Sequence, residues 1–171
     1  AYNIEDPSDI QETDRFSTND GFGSIGHNTH ILNDWAITSW YTDGLTIADA
    51  HKPDNLVITG WYDTWNGTGA NFDGCWGTYP FFPSGTVLAT NINPADLFIL
   101  SPTYVRACYL EGSVLDGCSG LPLSDVSIDV NSNDRWIDTR TNNNGVFKTG
   151  QTETGNFSVT LSKPGYVDTV I

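Results

Sequence analysis

Apolar and polar residues alternate along this chain in short runs, and this pattern predicts β-strands rather than helices. Pairs such as Asp43-Gly44 and Ser84-Gly85 separate the runs, and these residue types tolerate tight turns. Thr and aromatic residues are abundant and Met is absent, which also favours strands. We therefore expect an all-β protein. The predicted strands of the first two thirds are Trp35–Tyr41, Leu56–Tyr62, Thr86–Thr90, Leu97–Leu100 and Tyr104–Leu110.

The last third of the chain has the most regular pattern. Val126, Ile128 and Val130 alternate with polar residues, as in a half-buried strand. Asn144-Gly145 predicts a hairpin turn, and Pro164-Gly165 predicts a break before the final strand. The apolar residues that we expect in the core of this region are Val114, Leu123, Val126, Ile128, Phe147, Phe157, Val159 and Leu161.

Short motifs in the same region occur in a fixed order. They are Gly112-Ser113-Val114, a G-x-P-L-x-x-V-x-I stretch from Gly120, a T-x-x-x-G-x-F stretch from Thr141, and Lys163-Pro164-Gly165-Tyr166. Residues 109–171 thereby resemble the carboxypeptidase regulatory-like family. The resemblance implies a transthyretin-like β-sandwich without catalytic chemistry, of the kind found as a spacer in secreted proteins and at bacterial cell surfaces. In that family the strand after the last motif usually continues, whereas this sequence stops at Ile171. We therefore expect an incomplete edge strand or a piece of a longer protein, and the lack of Met likewise indicates a mature product or a fragment.

Charge divides the chain and excludes some partners. The net charge is −14, with 7 Lys and Arg against 21 Asp and Glu. Such a chain repels phosphate backbones, so we expect no nucleic-acid partner. No apolar run approaches the length that spans a bilayer, so we expect no membrane insertion. The expected organisation is an extended acidic arm at 1–20, an aromatic-rich β module at 21–103 and a β-sandwich at 104–171.

The acidic arm carries few apolar residues. They are Tyr2, Ile4, Ile10 and Phe16. Tyr2 and Ile4 are two residues apart, which would place both on one face of a strand. Such a strand needs the edge of a sheet, in its own chain or in a neighbouring copy. The alternative is a frayed, solvated terminus.

The middle region is rich in aromatic residues. Trp61, Trp65 and Trp76 are candidates for a platform on which sugar rings stack. Aromatic residues of this kind also fill the core of a small sandwich or cover an interface between subunits, and this second interpretation is the more common one.

Catalytic and metal-binding patterns are weak. His27 and His30 could bind a metal together, but no strong third ligand accompanies them. The stretch 129–134 partly resembles a calcium loop but lacks Gly at its sixth position, so a strand that ends in a polar turn explains it better. There is no nucleophile elbow and no phosphate-binding glycine loop. We expect a protein that is not an enzyme and has no cofactor.

In a secreted protein, as the resemblance implies, cysteines can pair and surface residues can be glycosylated. Among Cys75, Cys108 and Cys118 we expect one disulfide, with Cys108–Cys118 and Cys75–Cys108 equally consistent with the sequence and buried thiols as the alternative. Asn66 and Asn156 begin N-glycosylation sequons. Thr169, in Asp168-Thr169-Val170, resembles an O-glycosylation acceptor of some bacteria.

Two functional hypotheses follow. The first is a secreted or cell-surface structural subunit that self-assembles with copies of itself into a filament, through strand or arm exchange. The second is a carbohydrate-binding or adhesive module that recognises glycans through the aromatic residues of the middle region.

Overall fold

The computed structural model describes residues 1–18, 23, 25–67, 69–130, 139–156 and 158–171. Within these ranges the structure has β-strands and no helix, which confirms the all-β prediction. No helix that could cross a membrane occurs in the same residues. The strands are β1 (Tyr2–Asn3), β2 (Gln11–Glu12), β3 (Asn28–Leu32), β4 (Trp35–Ser39), β5 (Leu45–Asp49), β6 (Val57–Tyr62), β7 (Cys75–Tyr79), β8 (Val87–Asn91), β9 (Leu97–Leu100), β10 (Cys108–Ser113), β11 (Ser127–Val130), β12 (Thr139–Arg140), β13 (Val146–Gln151), β14 (Val159–Ser162) and β15 (Thr169–Val170).

The first sandwich consists of two antiparallel sheets. One sheet has the order β3-β4-β5-β6 and the other has the order β7-β8-β9. Every neighbouring pair is antiparallel and joined by a short connection, as the turn residues in the sequence predict. The buried core of this sandwich contains Trp35, Ile37, Leu45, Ile47, Cys75, Val87 and Ala89.

The central strands of the four-stranded sheet are buried on both faces. All residues of β4 and β5 are buried, although only alternate residues face the first core. On the opposite face Ala36, Ala48 and Ile58 form a second cluster, and Phe16 packs against it. The second half of the N-terminal arm therefore covers this sheet.

The first half of the arm folds back on itself. β1 pairs antiparallel with β2, with Tyr2 opposite Glu12. The sequence explains the turn, because Asp6 and Pro7 suit the first two positions of a β-turn, and the Asp6 carboxylate accepts the Ser8 N–H at 2.9 Å. Residues 1–18 thus form a short hairpin followed by a docked segment, instead of one extended arm.

The second sandwich packs a two-stranded sheet, β10-β13, against a four-stranded sheet of order β12-β11-β14-β15. The residues predicted for this core are found there, with Val126, Ile128, Phe147 and Val159 buried and Val114, Leu123 and Leu161 packed against them in partly buried positions. Phe157 lies outside the described residues, and so do residues 131–134 of the weak calcium motif.

Polar contacts join the two sandwiches. Asn55 precedes β6 and is 1% exposed. Its side-chain amide donates to Glu111 Oε1 of β10 and to the Thr149 carbonyl of β13, both at 3.1 Å. Lys52 Nζ lies 3.3 Å from the same Glu111 oxygen. The junction is therefore held by specific hydrogen bonds and not only by apolar packing.

Candidate functional site

Exposed aromatic residues line one flank of the first sandwich. Trp76 and Tyr79 of β7 are 49% and 46% exposed. The register between β7 and β8 shifts between Cys75 and Gly77, so that Trp76 is the extra residue of a β-bulge. Cys75 remains in the core and the Trp76 indole lies outside the sandwich. The extra residue shifts the alternation after it, so that Thr78 is buried and Tyr79 is exposed.

Further rings extend this surface towards β3. The His27 ring centroid lies 5.3 Å from that of Trp76 and 5.3 Å from that of Tyr41. The His30 and Phe81 rings are 5.5 Å apart. We call this surface the aromatic flank; its residues are His27, His30, Phe72, Trp76, Tyr79, Phe81 and Phe82. The buried Tyr41 ring lies beneath it, in contact with His27 and Phe72.

His27 and His30, the two candidate metal ligands, therefore lie in ring contacts. Their nearest aromatic partners are the Trp76 and Tyr41 rings for His27 and the Phe81 ring for His30. Within the described ranges no group of three or more His, Cys, Asp or Glu side chains is placed to hold a metal ion.

The three tryptophans proposed for sugar stacking lie on different elements. Trp61 is on β6 and is 44% exposed, next to the Tyr62 ring that contacts Phe98 at 5.8 Å. Trp76 belongs to the aromatic flank. Trp65 follows β6 in a loop and is partly buried. They do not form one continuous platform, since no ring contact joins them in the described part of the chain.

Trp65 separates two open clefts. One has a volume of about 430 Å³ and is lined by Thr42, Asp43, Trp65 and nearby glycines. The other has a volume of about 400 Å³ and is lined by Asp63, Thr64, Trp65, Asn66, Asn91, Pro94 and Asp96. The second cleft combines an aromatic ring with carboxylate and amide groups, so it offers stacking and hydrogen bonding at one place.

The predicted assembly residues are largely exposed. In the N-terminal hairpin Tyr2, Ile4 and Ile10 are 62%, 68% and 57% exposed. Phe16 is different, because it packs on the sheet of the first sandwich and its ring lies 5.7 Å from that of Trp40. The hairpin and the docked segment therefore have separate roles.

The C-terminal edge is also apolar and exposed. β15 is an edge strand of its sheet. Val170 and Ile171 are 64% and 69% exposed, and Val167 before them is 91% exposed. An exposed apolar edge strand is a place where another strand can add.

The cysteines are all free thiols in the structure, so the expected disulfide is not formed there. Cys75 lies in the first core, and burial raises the pKa of its thiol to about 11. Cys108 begins β10, and Cys118 lies in an exposed turn. The three thiols lie in different places, Cys75 in the first core, Cys108 at the start of β10 and Cys118 in a surface turn. This separation explains why the predicted disulfide is not formed.

The candidate glycosylation residues are accessible. Asn66, Asn156 and Thr169 all have exposed side chains. Modification requires an exposed side chain, but exposure alone does not show that a glycan is attached. The three sites therefore stay predictions, which an intact-mass measurement can test.

Comparison of the chain with known protein families, with curated proteins and with solved structures finds no match. The resemblance of residues 109–171 to the carboxypeptidase regulatory-like family therefore rests on the short motifs alone.

Proposed function

We propose that this protein is a non-enzymatic structural subunit, extracellular or on a cell surface, that assembles with copies of itself into a filament. The observation that carries the proposal is the exposure of apolar residues at two separate strand-forming segments. One is the N-terminal hairpin with Ile4 and Ile10, and the other is the C-terminal edge with Val170 and Ile171.

The hairpin is suited to act as a donor. Its ladder pairs Tyr2–Asn3 with Gln11–Glu12, and the Thr13 N–H donates to the Ala1 carbonyl at 3.0 Å beyond it. An isolated two-stranded hairpin of this size is marginally stable in water. Residues 13–18 are anchored, because the Asp14 carboxylate accepts the Leu56 N–H at 2.5 Å and Thr13 Oγ1 donates to the Pro53 carbonyl at 2.8 Å. Residues 1–12 can therefore open while the anchor stays in place, and an extended segment of that length reaches about 40 Å.

β15 is suited to act as an acceptor. Ile171 exchanges both backbone hydrogen bonds with Val159, at 2.9 and 3.0 Å. In an antiparallel ladder the hydrogen-bonding direction alternates, so the N–H and C=O of Val170 point away from β14. An added strand would bond to these groups, and its side chains would cover Val170 and Val167.

Donor and acceptor are different segments, so the contact between two copies is heterologous. Contacts of this type continue into an open fibre unless the rotation closes a ring. The extracellular part of the proposal is supported by the resemblance at 109–171 and by the accessible candidate glycosylation residues.

The test compares four proteins by analytical sedimentation and negative-stain electron microscopy at about 0.15 M salt, where charge repulsion is screened beyond about 8 Å. They are the full chain, a variant that lacks residues 1–12, Val170→Lys and Ile31→Lys. Ile31 lies on the edge strand β3 and is 58% exposed, so its substitution is a matched control for Val170. We expect filaments from the full chain and from Ile31→Lys, and monomers from the other two.

Two results would contradict the proposal. One is a full chain that stays monomeric at millimolar concentration. The other is a variant without residues 1–12 that assembles as well as the full chain.

A further inference from the structure

We infer that the cleft lined by Asp63, Trp65, Asn66, Asn91 and Asp96 is a binding site for a neutral saccharide. This inference goes beyond self-assembly, because the cleft lies in the first sandwich and includes neither the hairpin nor β15. The argument rests on a fixed aromatic ring, on acceptor groups beside it, and on a buried amide oxygen without a partner.

The Trp65 indole is held by backbone atoms. A Cβ placed on Gly67 would clash with Trp65 Cζ2, so the Gly67 backbone lies directly against the ring. The backbone N–H of Trp65 donates to the Asp63 carboxylate at 2.9 Å, which fixes the start of the loop. A ring fixed in this way loses little freedom when a ligand stacks on its remaining surface.

The polar groups of the cleft mostly accept hydrogen bonds. Asp63 and Asp96 present exposed carboxylates, and Asn66 presents an exposed amide. Sugar hydroxyls donate well to carboxylates, and the apolar C–H face of a sugar ring can lie on an indole. Both carboxylates would repel an acidic sugar, so among sugars we assign the cleft to a neutral one.

Asn91 supplies an independent indication. Its side chain is 6% exposed, and its Nδ2 donates to the Thr64 carbonyl at 2.6 Å. The amide oxygen Oδ1 is buried, and no partner for it exists among the residues that the structure describes. Buried polar atoms are normally satisfied. Asn91 is one of the residues that line the cleft, so a small shift of its side chain on binding would bring Oδ1 to a ligand hydroxyl.

The experiment uses an array of neutral hexose and N-acetylhexosamine oligosaccharides, followed by calorimetric titration with the best-bound one. The protein must have the bare polypeptide mass, because a glycan on Asn66 would occupy the cleft. The variants are Trp65→Ala and Asp96→Asn, with Trp61→Ala as the control for an exposed tryptophan elsewhere. We expect affinity to fall by at least about tenfold in the first two, as for loss of a stacking or charged hydrogen-bonding group, and to stay within about twofold in Trp61→Ala.

Three results would overturn the inference: no binding to any array member, unchanged affinity in Asp96→Asn and Trp65→Ala, or loss of binding in Trp61→Ala. If circular dichroism shows that Trp65→Ala is unfolded, the result for Asp96→Asn is used to judge the inference. Asp96 is exposed, and the asparagine side chain has nearly the same shape as the aspartate side chain, so this variant should fold. Filament formation is measured separately in Asp96→Asn, so failure of the sugar site and failure of the assembly proposal are distinguishable.

Discussion

The guanidinium of Arg106 donates to the carboxylate of Asp49 at 2.6 Å, and this pair fixes the segment that leads from the first sandwich to the second. Asp49 ends β5 and is fully buried. Its second oxygen accepts the Ala107 N–H at 3.0 Å. Arg106 also bonds to Asp34 at 2.9 Å and lies 4.5 Å above the Trp35 ring. The connection between the sandwiches is therefore built around one buried charge.

We expect Asp49→Ala to lower the free energy of unfolding by about 3 kcal/mol, because it leaves amide donors and a guanidinium without their buried acceptor. Arg106→Ala should cost less, about 1 kcal/mol, since Arg106 is 48% exposed and Asp49 keeps its amide bonds. The control is Asp54→Ala, which removes the exposed pair with Lys148 and should cost less than about 1 kcal/mol. Urea unfolding followed by tryptophan fluorescence measures all three. Equal losses in Asp49→Ala and Asp54→Ala would contradict this role of the buried carboxylate.

The same carboxylate predicts sensitivity to acid. Burial alone would raise the pKa of Asp49, but N–H donors from Ala107 and His51, together with Arg106, lower it below the usual value. In the unfolded chain this group takes up a proton below about pH 4. The stabilisation is therefore present above about pH 4 and is lost as the pH falls further towards the pKa of the folded state. We expect the stability difference between the native protein and Asp49→Asn to be constant near neutral pH and to shrink as the pH falls from about 4 to about 3. A difference that stays constant down to about pH 3 would show that ionisation of Asp49 does not stabilise the fold.

Local sequence patterns predict part of this fold and not the rest. The strand expected at Leu97–Leu100 is found with the same bounds, because a short apolar run next to the turn residues Asn93 and Pro94 is a strong strand signal. β7 was missed, since Gly77 and the bulge at Trp76 interrupt its alternation. The strand expected from Tyr104 begins only at Cys108, because the preceding residues are bound to Asp49 instead of to a neighbouring strand.

The candidate sites depend even more on distant contacts. Trp65 stands out in the sequence as an aromatic residue, but Asn91 and Asp96 reach its cleft from β8 and the following turn. Nothing in their local sequence distinguishes them from ordinary turn residues. Asp49 is a charged residue at the end of an apolar run, which only weakly indicates a structural role. The fold is needed to show that Arg106 pairs with it.

Gly112 allows a sharp test of packing in the second core. A Cβ on Gly112 would lie 2.7 Å from two carbons of the Phe147 ring, and Phe147 is 6% exposed. We therefore expect Gly112→Ala to destabilise the protein by about 1–3 kcal/mol. Phe147→Ala should cost about 3–5 kcal/mol through the cavity that it leaves. Gly117→Ala is the control, because a Cβ there meets no atom within 4 Å. Thermal unfolding that ranks Gly117→Ala as the worst of the three would contradict this packing.

The cysteines should react in a defined order. Cys118 is exposed, while Cys75 is fully buried with a pKa raised to about 11 by burial. Only the thiolate reacts with iodoacetamide, so we expect Cys118 to be labelled first and Cys75 only after unfolding. Peptide mass spectrometry without reductant identifies each labelled residue. Two results together would instead establish the disulfide that the sequence predicts. The intact protein would be two hydrogen masses lighter than the fully reduced chain, and two of the three cysteines would stay unlabelled after unfolding.

The N-terminal segment should separate into a part that stabilises the monomer and a part that does not. Phe16 packs on the cluster of Ala36, Ala48 and Ile58, whereas Tyr2 and Ile4 are mostly exposed. We expect Phe16→Ala to lower the free energy of unfolding by about 2 kcal/mol, less than a fully buried Phe because this side chain is only partly buried. Removal of residues 1–12 should change it by no more than about 0.5 kcal/mol, as for other exposed segments. Urea titrations of dilute, monomeric protein measure both. If removal of residues 1–12 destabilises the monomer as much as Phe16→Ala does, the hairpin belongs to the fold of its own chain, and it is then not free to donate a strand to a neighbour.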